Sequence, residues 1–345
     1  MRGGANDGKG VDTVVERREG RAFRDLFEEE IQGLVDSLNS LHDGELGVDM
    51  LVACGERAVG PLRRFLFEGK PSGIFVPRQR VVRALAELGA KQVLLDYLAS
   101  EQHIPDPIAA HGEEAVKNTA ARALGAWRTD DVYQALRGVL RRKLLLGAIE
   151  VLGEFRRPEA IPDLIAALED DFCRTTAQES LRKIGEAAHA DLIEAARTPD
   201  PSGANERASS RRRRRCALRL LEELRLSVHD WRQVAALVHD SDPEIRARAA
   251  AIALTVADER DQKLAVERLI EDLPAVEDWL LRGEIQGWLE SHLDVALPPV
   301  NKEIARREAA ANHAGDNVLR LLLAVRRTSH DPAADGSQDL SKSPP

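Results

Sequence analysis

The chain is poor in the residues from which thick cores and chemical centres are usually built. Aromatic side chains make up 4% of its 345 residues, and there are 2 methionines and 3 cysteines. With so few large rings, the core falls to Leu, Ala, Ile and Val, which suits thin layers of paired helices. Cys54, Cys173 and Cys216 are odd in number, far apart and outside any CxxC pair. That spacing argues against a disulfide framework and a structural zinc site, and leaves small buried thiols in a reducing compartment as the expectation. Basic residues (49) are outnumbered by acidic ones (58), for a net charge of -9. This balance disfavours generic binding to nucleic acid or to an anionic membrane. The apolar stretch at residues 144–153 falls well short of the ~18 residues of a membrane span. The first ten residues carry no apolar signal region. A Gly-rich phosphate loop, a GxSxG elbow and an HExxH helix are all missing. The expectation is a cytoplasmic protein without a cofactor, metal centre or recognisable catalytic group, which favours a non-enzymatic role and leaves an enzymatic one as an alternative.

What is present is a repeat. Six helix-like segments end in a knot of leucine and small residues and turn into a second apolar helix, with anchor leucines at Leu51, Leu85, Leu124, Leu152, Leu181 and Leu221. These anchors are spaced by 34, 39, 28, 29 and 40 residues, the period of a helical solenoid rather than of one globular core. The clearest unit predicts a first helix over 144–154, a turn over 156–159 and a second helix over 160–169. In that second helix Ile161, Leu164, Ile165 and Leu168 form one stripe, with Asp163 and Ala167 facing away from it. Pro158 sits where a first-turn proline is harmless. The predicted class is all-α, a right-handed superhelix of helix pairs.

At the ends, residues 1–20 read as a disordered N-terminus and 328–345 as a mobile tail. Between them, Phe23, Leu26, Phe27, Ile31, Leu34, Val35, Leu38 and Leu41 recur at helical spacing. They predict an amphipathic helix within 21–46 that caps the first repeat or, alternatively, binds a partner. The solenoid then runs from 47 to 327.

Seven positions before the anchor leucine stand Arg78, Lys117, Arg174 and Arg214, with Arg246 near that slot in the next unit. Acidic residues precede two of these, Asp171 and Asp242, and the chain also carries the runs DPEIR at 242–246 and PEAIPDL at 158–164. Over about residues 47–270 these features resemble the HEAT-repeat family, especially its short bacterial form with phycobilin-lyase-like repeats. The resemblance implies B helices lining a concave face and a structural ladder of basic and acidic slots between repeats. Leu145 occupies the basic slot in its unit, so the ladder is expected to break there.

The sharpest local feature is the run Arg211, Arg212, Arg213, Arg214 and Arg215, preceded by a polar insertion at 199–210. Five guanidinium groups clamp phosphates well, but consecutive helical residues point around the whole circumference, so two or three at most face one ligand. Arg214 already fills the structural slot, and no aromatic residue stands beside the run for base stacking. Nucleic acid or another polyanion, an acidic protein partner, and a solvated junction all remain open uses. A second insertion at 100–114 gathers His103, Asp106, His111, Glu113 and Glu114. Partner contact suits that prolyl loop better than a metal, and Glu113 and Glu114 fit the start of a helix.

His229-Asp230 and His239-Asp240 fall on different helical faces and read as turn and cap residues. The HEAT-like hydroxylases hold di-iron with His-Glu pairs, and the chain contains no His-Glu dipeptide. HEAT-like DNA glycosylases use Trp and Asp on the concave face. Asp278 and Trp279 supply those types here, but among Glu277, Glu284 and Glu290.

Outward B-helix positions include Lys91, Asp96, Gln134, Arg137, Arg141, Asp163, Glu194, Arg268 and Glu271, which mix both signs. A mixed surface suits a protein partner better than a nucleic-acid backbone. The leading expectation is a non-enzymatic scaffold that docks a protein segment, contacted through Arg137, Arg141, Asp163 and Glu194, with Arg211, Arg212, Arg213 and Arg215 as an accessory contact. The alternatives are nucleic-acid or polyanion binding at residues 211–215, and an enzyme or accessory factor resembling the phycobilin lyases.

Overall fold

Helix follows helix through the computed structural model of the chain, which describes residues 26–40, 42–202, 205–310 and 316–329. Among the described residues the one departure is a two-residue antiparallel ladder between Pro201–Ser202 (β1) and Asn205–Glu206 (β2). The expected N-terminus at 1–20, all of the expected 328–345 tail except Thr328 and Ser329, and Phe23 and Leu41 of the capping stripe lie outside the described residues, and Thr328 closes the last helix instead of opening the tail. The chain divides into two compact units, one ending at Ile184 and one starting at Gly185.

The first unit runs α1 (Glu28–Ser37), α2 (Gly44–Ala53), α3 (Val59–Glu68), α4 (Val76–Glu87), α5 (Lys91–Ala99), α6 (Pro107–Leu124), α7 (Asp130–Leu140), α8 (Leu146–Phe155), α9 (Ile161–Ala167) and α10 (Arg174–Ile184). From α2 onward the first helix of each pair is an A helix and the second a B helix, joined by tight turns. The anchor leucines Leu51, Leu85, Leu124, Leu152 and Leu181 are all fully buried. Removing each from water stabilises the fold by about 1.5–3 kcal/mol. Gly55 and Gly89 take positive φ at the turns (66° and 72°), where a residue without Cβ meets no clash. Arg156 adopts the same left-handed turn at φ 54°, at a cost of about 1–2 kcal/mol.

Neighbouring A helices pack closely because small residues face each other. A Cβ built on Gly147 would lie 2.3 Å from the Asn118 carbonyl oxygen, and one on Gly153 would lie 2.5 Å from Ser180 Oγ. The Asn118 side chain also accepts a hydrogen bond from the Gly147 N–H at 2.9 Å. Gly147→Ala is therefore expected to destabilise the first unit by about 1–3 kcal/mol, since a backbone carbonyl has to move. Urea denaturation of the variant against wild type measures this.

Several local expectations are corrected. The N-terminal stripe does not form one helix through residue 46. It breaks after α1, where Ser40 Oγ hydrogen-bonds Asp43 and accepts from the His42 and Asp43 N–H groups, and Phe27 is exposed. The insertion at 100–114 is mostly helix: Asp106 accepts from Ile108 and Ala109 N–H and Pro107 opens α6, a cap-then-proline start. Ala167 is buried, not outward, because α9 packs against α10, the first helix of the next pair, so its buried face is wider than one stripe.

The second unit runs α11 (His189–Arg197), the β1–β2 ladder, α12 (Ala208–Glu223), α13 (Val228–Val234), α14 (Pro243–Val256), α15 (Glu259–Asp272), α16 (Trp279–Ser291), α17 (Leu293–Glu308) and α18 (Asn317–Thr328). Leu221 is fully buried. The described residues on either side of 203–204 in the polar insertion at 199–210 are hydrogen-bonded to each other. Ser210 Oγ donates to Glu206 at 2.6 Å and accepts from the Asp200 N–H at 2.8 Å.

Candidate functional site

Every helix ends with carbonyls that have no partner inside it, and in this chain basic side chains from the next A helix meet them. Arg78 on α4 donates to the Leu66 carbonyl of α3 at 2.9 Å. Arg80 donates to the Leu38 and Ser40 carbonyls after α1, Lys117 on α6 to the Ser100 carbonyl after α5, and Arg214 on α12 to the Ala196 carbonyl of α11 at 2.8 Å. A cation here also meets the negative end of the helix dipole. Arg174 instead pairs with Asp171 at the surface. Leu145 is buried and offers no such donor.

A second regularity lies in charge pairs set about one repeat apart. Arg122–Glu150, Lys183–Glu154, Arg157–Asp130, Arg214–Asp240, Arg215–Asp242 and Arg246–Asp272 join residues 26 to 29 positions apart. On the B helices of the first unit, Arg137 and Arg141 of α7 both hold Asp163 of α9, at 2.8 and 2.9 Å. Lys91 of α5 donates to Asp131 of α7 at 2.6 Å and holds its carboxyl down at about 2. Arg157 pairs with Asp130 and covers the Tyr133 ring at 4.5 Å from its centre. The B-helix row thus alternates in sign and is neutralised from repeat to repeat. Glu194, in the second unit, is exposed on α11 and accepts from the Thr198 hydroxyl at 2.6 Å.

The arginine run forms the first half of α12, and much of it is engaged within the unit. Arg214 is buried, with Glu206 at 2.9 Å and Asp240 as carboxylate partners. Arg215 grips Asp242 with two nitrogens and reaches Glu244 at 2.9 Å. Asp242 in turn caps α14 through the Glu244 and Ile245 N–H groups. Burial pushes its carboxyl upward, but the Arg215 hydrogen bond and those N–H groups hold it below its ordinary value. Arg213 donates to the Thr198 carbonyl at 2.8 Å, Arg212 is half-buried, and Arg211 is exposed.

Two cavities stand out. In the second unit, a polar cleft of about 400 Å³ between α12, α14 and α16 is lined by Arg219, Glu222, Arg248, Glu284 and Trp288. Arg248 is buried and donates to Glu284 at 2.6 Å, and Trp288 Nε1 donates to Glu222 at 2.8 Å. Burial pushes the Glu222 carboxyl above its ordinary value.

In the first unit, a cleft of about 760 Å³ opens beside α6, under residues 100–104 and against the α7–α8 turn. Leu98, Ile104, Ala110, Val139 and Leu145 give it an apolar lining, and Glu113, Lys117, Arg142 and Lys143 supply charge. Behind it Glu113 accepts from the Tyr97 hydroxyl at 2.7 Å and pairs with buried Arg78, which donates to Tyr97 Oη at 3.1 Å. Burial raises the Tyr97 hydroxyl far above its ordinary value and lowers the Lys117 ammonium.

From the sequence Glu113 reads as a helix-start residue, and no local motif marks this network or its counterpart at Glu222, Arg248 and Trp288. The one signal available was an opposite charge 35 residues from Arg78, a repeat length away.

The remaining polar candidates fill structural places. His103 lines the first-unit cleft, whereas His111 meets Phe75 edge-on at 6.5 Å. The described residues contain no group of three His, Cys, Asp or Glu placed to hold a metal ion. His239 lies 3.2 Å from Arg268, and Asp240 is bound to Arg214. Asp278 caps α16 by accepting from the Leu280 N–H at 2.9 Å, while Trp279 points outward, 76% exposed. No described helix is long and apolar enough to cross a membrane. The family model described as HEAT repeats matches residues 105–182, which run from the start of α6 into α10. No curated protein matches the chain.

Proposed function

We propose that this chain, whose residues 105–182 match HEAT repeats, is a non-enzymatic scaffold docking a protein segment along its B helices. The observation that carries this reading is the row of Lys91, Asp131, Arg137, Asp163, Arg141 and Arg157, where opposite charges pair between neighbouring repeats. Such a row offers alternating hydrogen-bond donors and acceptors to a polypeptide and no sustained positive stripe to a phosphate backbone. The engagement of Arg213, Arg214 and Arg215 with groups of their own unit supports the same choice over polyanion binding.

A photocrosslinking residue placed at exposed Gln134 on α7 tests it in native lysate. The expected outcome is a protein adduct that survives nuclease, is missing when the crosslinker sits at exposed Arg122 on α6, and persists when Arg211 and Arg212 are replaced by alanine. Capture that collapses with nuclease and with those replacements would make the chain a nucleic-acid binder. A visible absorption band retained through purification would favour the phycobilin-lyase-like alternative.

A further inference from the structure

The first-unit cleft holds one cation that its surroundings leave unbalanced. Lys117 is half-buried, its Nζ donating to the Ser100 carbonyl and lying 5.8 Å from the centre of the Tyr97 ring. Among the described residues no carboxylate lies within ion-pair distance of it. The carboxylates that line the cleft are engaged elsewhere: Glu113 and Glu101 hold Arg78 and Arg142, and Glu114 holds Lys143 at 3.0 Å. The pairs cancel and the Lys117 charge remains, above a lining of Leu98, Val139 and Leu145.

We propose that this cleft binds a monocarboxylate with an apolar body, its carboxylate on Lys117 Nζ and its hydrocarbon against Leu98, Val139 and Leu145. The cleft volume of about 760 Å³ falls in the range of small-ligand sites, about 300–1,000 Å³, which are mostly apolar with a few convergent polar groups. Single charge follows from the site: one free ammonium matches one carboxylate, whereas a doubly charged phosphate would face Glu113 and Glu114 with no second free cation. The ligand also restores to Lys117 what burial removes, since a carboxylate beside a desolvated ammonium favours its charged form. A free carboxylic acid and the C-terminal carboxylate of a peptide ending in an apolar residue share this chemistry. The site stands whether or not the B-helix row docks a protein.

Calorimetric titration of the full-length chain tests the proposal with three pairs of probes. These are octanoate against octanol, a short peptide ending in leucine as free acid against its C-terminal amide, and wild type against Lys117→Met. Binding by octanoate, or by the peptide acid alone, supports the site and identifies the source. In either case the neutral counterpart fails to bind, and Lys117→Met weakens binding by about ten- to a hundredfold, the worth of a charge-assisted contact. Should Lys117→Met fold poorly, Val139→Phe, which fills the lining and keeps the ammonium, is expected to abolish binding. The proposal is overturned if neither acid binds, if octanol binds as well as octanoate, or if the variants retain wild-type affinity.

Discussion

Replacing Arg214 by methionine is expected to destabilise the second unit by about 3–5 kcal/mol, the usual result of removing one member of a buried ion pair. The Arg214 side chain is 3% exposed and serves three acceptors at once: the Ala196 carbonyl, Glu206 and Asp240. Methionine fills much the same volume but leaves two partly buried carboxylates facing each other and a helix-end carbonyl without its donor. Lysine at this position restores the charge and not the fork, so it recovers only part of the loss. Arg211→Ala, three residues away at an exposed site, is expected to stay within about 0.5 kcal/mol. Trp231, Trp279 and Trp288 lie in the second unit and Trp127 in the first, so intrinsic fluorescence in a urea titration on a Trp127→Phe background follows the unfolding of the second unit. Equal effects at 211 and 214 would contradict the assignment of Arg214 to the packing of its unit.

The second large effect is expected at Arg78. Its guanidinium binds Glu113, the Leu66 carbonyl and the Tyr97 oxygen, with side-chain exposures of 8% and 9% for the two charged partners. Arg78→Met leaves Glu113 charged and buried with the Tyr97 hydroxyl as its remaining donor, a loss of about 3–5 kcal/mol. The double variant Arg78→Met/Glu113→Leu is expected to recover more than half of that, because the stranded charge is gone. Amide hydrogen exchange along α4, α5 and α6 reads the change in the first unit alone. A double variant no more stable than Arg78→Met would show that the single variant acts through lost packing instead.

Much of this architecture was legible in the chain. Leu51, Leu85, Leu124, Leu152, Leu181 and Leu221 recur at nearly one period, and every one is fully buried, because a repeat that packs only on its neighbours places the same residue in the same layer each time. Helix starts at Asp106-Pro107 and Asp242-Pro243 were equally open to reading, since capping needs only the local chain. Pro105 and Pro107 give 100–114 the look of a loop, but Pro107 follows the Asp106 cap and opens a helix. The break after α1 was harder to read, because the apolar spacing continues across it while Ser40 and Asp43 close a turn.

The candidate site was less legible, for a different reason. Arg137, Arg141 and Asp163 read from periodicity as separate outward side chains, and the fold brings all three together into one ion-paired group. The cleft beside Lys117 draws on three separate stretches of chain, around residues 98–104, 110–117 and 139–145, and none of them carries a motif.

The sequence by itself determined the all-α repeat, the anchor leucines of its core and the slot in which four of its units place a basic side chain. These depend on periodicity and on contacts within a turn or a repeat. Only the tertiary structure decided which charges neutralise one another, that the run at 211–215 is largely engaged within its own unit, and that Lys117 keeps a charge without a carboxylate. Ion pairing and burial depend on distances between side chains a repeat or more apart, and those distances exist only once the helices are packed.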